Sequence, residues 1–187
     1  MLLYQILGLI IQTIGGLFGS ALLLRAWMQR ARAGARNPLG AFVFALTDWI
    51  VLPLRRVIPG GLGIDWASVV GAFLIAALSV LALDLAVVML SAGARMPTVV
   101  GVVVTALVWV LRWGLYTVML LAIVWAVLSW VNPHAPIAPA LDALLSPVLR
   151  PLRRIIPRVG GLDLSPIALF VVLQIALLIV DQIPVPL

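Results

Sequence analysis

Apolar residues run almost unbroken through four stretches of the chain, 2–24, 66–90, 97–131 and 164–183, and most charged residues fall between them. About 20 apolar residues cross the hydrocarbon core of a bilayer, so each stretch predicts a transmembrane helix. The third, Pro97 to Val131, is too long for one helix perpendicular to the membrane and must break, tilt or start late. Its membrane portion is placed at about 105–131, after Thr105, with Arg112 near the surface. The first run lacks the basic n-region and small-residue cleavage site of a signal peptide, so it is expected to remain as a span.

A different pattern fills the segment from Ser146 to Pro166. Proline removes a backbone donor and crowds the preceding turn, so Pro147, Pro151 and Pro157 predict short helical turns. On such turns Val148, Leu149, Leu152, Ile155 and Ile156 form an apolar stripe and Arg150, Arg153 and Arg154 gather opposite. A segment of this kind lies flat in a membrane interface. Gly160-Gly161 then allows a tight turn, and Ser165-Pro166 reads as the cap and first position of the last span.

The segment occurs twice. Pro53-Leu54-Arg55-Arg56-Val57-Ile58-Pro59 matches Pro151-Leu152-Arg153-Arg154-Ile155-Ile156-Pro157, and Asp65 falls on Asp163 at the same offset of 98. The expected architecture is an all-α membrane protein with four transmembrane helices in two tandem parallel repeats, 1–90 and 97–187. Each repeat carries an amphipathic Arg/Pro interfacial segment between its spans, and a pseudo-twofold axis near the membrane normal relates the two.

Those residues carry a resemblance. Leu128-Ser129-Trp130, the run from Pro147 to Pro157, and Gly160-Gly161-Leu162-Asp163-Leu164-Ser165-Pro166 are similar to the signature of the YggT (YlmG) family of small bacterial and plastid membrane proteins, in its two-repeat bacterial form. The resemblance covers essentially the whole chain. In that family an acidic residue often precedes the first proline; here Leu145-Ser146 stands there, and the first copy has Thr47-Asp48-Trp49. It implies a multi-pass protein of the bacterial plasma (inner) membrane, associated with osmotic stress tolerance or cell division, and no established catalytic residue.

Composition agrees with a membrane location: 65% of the 187 residues are hydrophobic and 10% charged, against roughly a quarter charged in soluble domains. The basic residues are all arginine, the acidic ones all aspartate, and cysteine is absent. Residues 25–65 hold six arginines and two aspartates, net +4, and residues 132–163 hold four and two, net +2. The positive-inside rule places both segments in the cytoplasm and both termini on the outer side. The arginines flank apolar spans instead of forming an aromatic-rich basic face, so no nucleic acid is expected as a direct partner.

The catalytic inventory is thin. With one histidine, His134, in a proline-rich turn, and neither cysteine nor glutamate, no relay or metal site can be assembled, and no cofactor is expected. Asp65 and Asp163 each precede a span, where a carboxylate caps helix donors or reaches the preceding Arg-Arg pair. Arg55, Arg56, Arg150, Arg153, Arg154 and Arg158 offer a surface for anionic lipid headgroups or an acidic membrane partner. Gln5, Gly8, Gln12, Gly15 and Gly19 share one face of the first span, a helix-packing surface directed either at the second span, with its Ala72, Ala76 and Ser79, or at another copy of the chain. Asp84 and Arg112, near the outer ends of their spans, reach water or pair with each other. The favoured function is a non-enzymatic scaffold or assembly factor; the alternative is a channel or transporter component with Gln12, Gln174 and Asp84 near its route.

Overall fold

The structure is a computed structural model and describes residues 2–33, 37–60, 63–90, 96–132, 134–156 and 163–184. They form six α-helices and no β-strand: α1 Leu2–Arg30, α2 Pro38–Arg55, α3 Trp66–Leu90, α4 Val99–Val131, α5 Ala138–Ile155 and α6 Ser165–Asp181. By length and apolar composition α1, α2, α3 and α4 are each able to cross a membrane. This differs from the expected set. α2 qualifies because Phe42, Val43, Phe44, Ile50 and Val51 make it far more apolar than the Arg-Arg pair at its end suggests, while α6 has 17 residues, about 26 Å at 1.5 Å per residue.

α1 and α4 form the centre. α1 touches α2, α3 and α4, and α4 touches α1, α3, α5 and α6. α1 approaches α3 closely where Gly15 meets Ser79 and Gly8 faces Leu83. Around the C-terminal ends of α1 and α4, Leu24, Met28, Val43, Leu121, Leu141, Leu144, Leu145, Leu149 and Leu169 make one core that draws α2, α5 and α6 together. Leu22, Val51, Ala67 and Ala72 make a second core among α1, α2 and α3.

Three local expectations are corrected. α4 runs unbroken from Val99, six residues before the expected start, because Thr98 accepts the Gly101 N–H at 3.1 Å and opens the helix there. α5 is one continuous helix of 18 residues through Pro147 and Pro151, not a set of short turns. Those prolines stand four residues apart on its exposed side, so the backbone carbonyls they leave unbonded face outward, where water or headgroups satisfy them. Its buried stripe is also displaced toward the N-terminus, to Ala140, Leu141, Leu144, Leu145 and Leu149; Val148 and Leu152 pack at the edge and Ile155 is 79% exposed. Third, Ser165 is the first residue of α6 and Leu164 holds the cap position. The cap of α2 is Asn37, whose side chain accepts the Gly40 N–H at 2.8 Å. Pro157, Arg158 and the Gly160-Gly161 turn lie outside the described residues.

Candidate functional site

Arg25 stands near the end of α1, in a run of apolar residues, and its side chain is only 1% exposed. An arginine so placed is tolerated only when its charge and donors are matched, since desolvating it alone costs several kcal/mol. α2 folds back across α1 and matches the charge and one terminal nitrogen, while the buried Nε has no hydrogen-bond partner. Nη1 of Arg25 donates to Thr47 Oγ1 at 2.8 Å and to Asp48 Oδ1 at 2.7 Å, and its guanidinium lies over the Phe44 ring, 4.4 Å from the centroid. Its Nε is 3.5 Å from Asp65 Oδ2. Asp65, also 1% exposed, accepts from Arg55 Nη2 at 2.5 Å and from Ser68 Oγ at 2.8 Å. Arg55 in turn donates to Gln29 Oε1 at 3.1 Å. Two arginines and two aspartates thus cancel at the junction of α1, α2 and α3.

The second half repeats part of this. Arg153 Nε donates to Asp163 Oδ2 at 2.9 Å, and Asp163 Oδ1 accepts the Ser165 N–H at 2.9 Å. Arg153 also lies 5.0 Å from the Trp125 centroid and 3.9 Å from Asp142. Burial pushes the Asp65 carboxyl up, but the hydrogen bonds from Arg55 and Ser68 and the charges of Arg55 and Arg25 outweigh it and hold the group below the ordinary carboxylate value. Asp163 is held low in the same way, its burial outweighed by Ser165 and by Arg153.

The arginines expected to face headgroups divide into two kinds. Arg55 and Arg153 turn inward to the aspartates ten residues ahead of them. Arg56, Arg150 and Arg154 are exposed and make no ion pair among the described residues. On the glycine face, Gly8, Gly15 and Gly19 are buried, whereas Gln5 and Gln12 are exposed. A methyl group added at Gly15 would meet Ser79 Oγ at 2.6 Å, and one at Gly19 would overlap the Trp113 ring. Both contacts lie within the chain. Arg112 pairs with Asp181, Nη2 to Oδ1 at 3.0 Å, not with Asp84, because α6 ends beside the middle of α4. His134 is exposed beside a cavity of about 500 Å³ that Asp142 also lines. Among the described residues no three metal-ligating side chains converge.

The sequence had pointed to Asp65 and Asp163 through their shared offset. It did not single out Arg25, Thr47 or Ser68. The available signals were a charge directly at the end of the apolar run, after Leu24, and an Asp48 that has only Ser146 at its offset in the second half.

Long apolar helices joined by internally neutralised arginine–aspartate pairs define a polytopic helical membrane protein. The chain belongs to the CCB3/YggT family, whose model matches residues 4–86 and 104–183. It is 35% identical over 175 residues to an uncharacterized protein in the proC 3' region of Vibrio alginolyticus, covering 89% of each chain. It is 34% identical over 167 residues to the uncharacterized protein YggT of Escherichia coli K12, covering 89% of this chain and 84% of that one. A Pseudomonas aeruginosa relative, also uncharacterized, is 36% identical over 172 residues, covering 89% and 83%. No solved structure matches the chain.

Proposed function

We propose that this protein is a non-enzymatic scaffold or assembly factor of the bacterial plasma membrane, linked to osmotic stress tolerance or cell division. In this reading it consists of two parallel repeats, and α2 and α5 present arginines to anionic headgroups or to an acidic membrane partner on the cytoplasmic side. The observation that carries the reading is the division of labour within each Arg-Arg pair. Arg55 and Arg153 are held by Asp65 and Asp163, which fixes the helix end, and that leaves the adjacent Arg56 and Arg154 outward and unpaired. Arg150 joins them one turn earlier on α5. Each arginine near an anionic leaflet gains roughly 1 kcal/mol, so three make a usable surface.

The test is affinity purification of the tagged protein from native membranes, compared with a variant carrying Arg56→Ala, Arg150→Ala and Arg154→Ala. A membrane protein that co-purifies with the wild type and is lost at least fivefold from the variant, with insertion unchanged, supports the scaffold reading; equal recovery from both overturns it. One observation favours the channel alternative: Gln12 lines a polar cavity among α1, α4 and α6. Ion flux in proteoliposomes that vanishes on Gln12→Ala would carry that alternative.

A further inference from the structure

The two halves do not close on each other evenly. α3 packs along α4, but α6, which holds the matching place in the second half, makes no comparable contact with α1. In its place is an open cavity of about 580 Å³ lined by Gln12, Ser20, Arg112, Tyr116 and Asp181, with the indoles of Trp109 and Trp113. Asp181 touches one terminal nitrogen of Arg112, whose Nε is buried and has no hydrogen-bond partner. A guanidinium has five N–H donors, so most of its capacity is unused. Ser20 and Tyr116 also line a second cavity of about 290 Å³, walled by Leu17, Leu24, Phe42, Leu120 and Val124 and running toward α2 and α5. The two cavities adjoin at Ser20 and Tyr116 and make a crevice in two parts, the first polar beside the end of α6 and the second apolar beyond it. From Arg112 to Val124 along α4 is a rise of about 18 Å, comparable to the extended acyl chain of a membrane lipid.

We propose that this crevice binds a single phospholipid with an amine-bearing zwitterionic headgroup. The phosphate lies on Arg112, the ammonium on Asp181 and the indole and phenol faces, and one acyl chain fills the groove among α1, α2 and α4. Charge selects the headgroup. The polar end holds one cation and one anion, so a zwitterion satisfies both, whereas an anionic headgroup leaves Asp181 facing negative charge. The tail direction follows from the order of the walls, since Asp181 is the last residue of α6 and the apolar walls begin one turn inward of Arg112.

The experiment uses the full chain, extracted in mild detergent from vesicles of equimolar phosphatidylethanolamine and phosphatidylglycerol, with retained lipid counted by native mass spectrometry. About one phosphatidylethanolamine per chain is expected, at least tenfold over phosphatidylglycerol. Arg112→Gln should lower its retention at least tenfold, and Asp181→Asn should abolish the preference between headgroups. Leu120→Trp narrows the groove without touching the polar end, and should also lower retention, so the proposal stays testable if Arg112→Gln does not fold. The triple arginine variant at 56, 150 and 154 should retain the lipid as the wild type does, which separates this site from the cytoplasmic surface. Annular lipid only, in the bulk ratio and unchanged by these substitutions, overturns the proposal, as does a preference for phosphatidylglycerol.

Discussion

Asp65 and Arg25 are both sealed from solvent and lie 3.5 Å apart, each with further partners of its own. Removing one member of a buried ion pair leaves the partner's charge uncompensated, which costs about 3–5 kcal/mol. Asp65→Ala takes a carboxylate from Arg25 and Arg55 at once, and a loss of about 3 kcal/mol is expected, read as a lower melting temperature in detergent. Arg25→Met should cost less, because Asp65 keeps Arg55 and Ser68 and Asp48 is half-exposed. The same carboxylates set an acid limit. Their folded pKa values lie below the unfolded value of about 3.9, so their contribution is fully present above that pH and is lost as pH falls through the lowered values. Thermal stability should be level from pH 7 to 5, on this account, and fall below about pH 4, with a shallower fall in Asp65→Ala. The two aspartates were legible because each sits at a fixed distance from a repeated motif. Arg25 was not, because an arginine at the end of an apolar run looks like topological charge until α2 is seen to cover it.

At the level of elements, the periodicity of α1 carried its three buried glycines and one of their neighbours, Ser79 of α3, but not the other, Trp113 of α4. Gly8, Gly15 and Gly19 share a face, and that much is visible in their spacing; that Trp113 of α4 lies against Gly19 depends on how α4 leans across α1. The close approach is unequal along the face. A β-carbon at Gly16 would stand 3.5 Å from the Trp113 indole nitrogen, an ordinary contact, whereas at Gly19 it would occupy the ring itself. Gly19→Ala should therefore cost about 1–3 kcal/mol through forced repacking, while Gly16→Ala should be neutral or stabilising by up to about 1 kcal/mol through helix propensity. Melting temperatures of the two variants in the same detergent check this. Equal effects would show that α4 does not approach α1 at backbone distance. The continuity of α5 is where the proline rule misled: the cost of Pro147 and Pro151 is offset by the burial of Leu141, Leu144, Leu145 and Leu149 on the opposite face, while both prolines stay on the open side.

For the whole molecule, Arg55–Asp65 and Arg153–Asp163 pair at the α2–α3 and α5–α6 junctions, and on the proposed two-repeat reading that match has a topological consequence. α1 and α3 are antiparallel neighbours joined through one junction, and α4 and α6 are joined through the other. If the two halves run in the same sense, both junctions lie on one side of the membrane, together with Arg30, Arg32, Arg56, Arg150 and Arg154. The net charges of +4 for residues 25–65 and +2 for 132–163 then select the cytoplasm for that side, since moving clustered arginines across the bilayer during insertion is disfavoured. Reporter fusions at residues 40 and 140 should be active only in the cytoplasm, and fusions after Met96 and Pro184 only outside. Opposite locations for 40 and 140 would mean that the halves are inverted, and the matching Arg55–Asp65 and Arg153–Asp163 pairs would then face different compartments. The match is incomplete in one respect that the motifs do not reveal. α3 fits against α4 through Ala76 and Ala106, but α6 carries Gln174 and Leu177 where α3 has Ala76 and Ser79. Gln174 is exposed and Leu177 buried, and α6 makes no contact with α1 comparable to that of α3 with α4, which leaves the polar cavity open on that side.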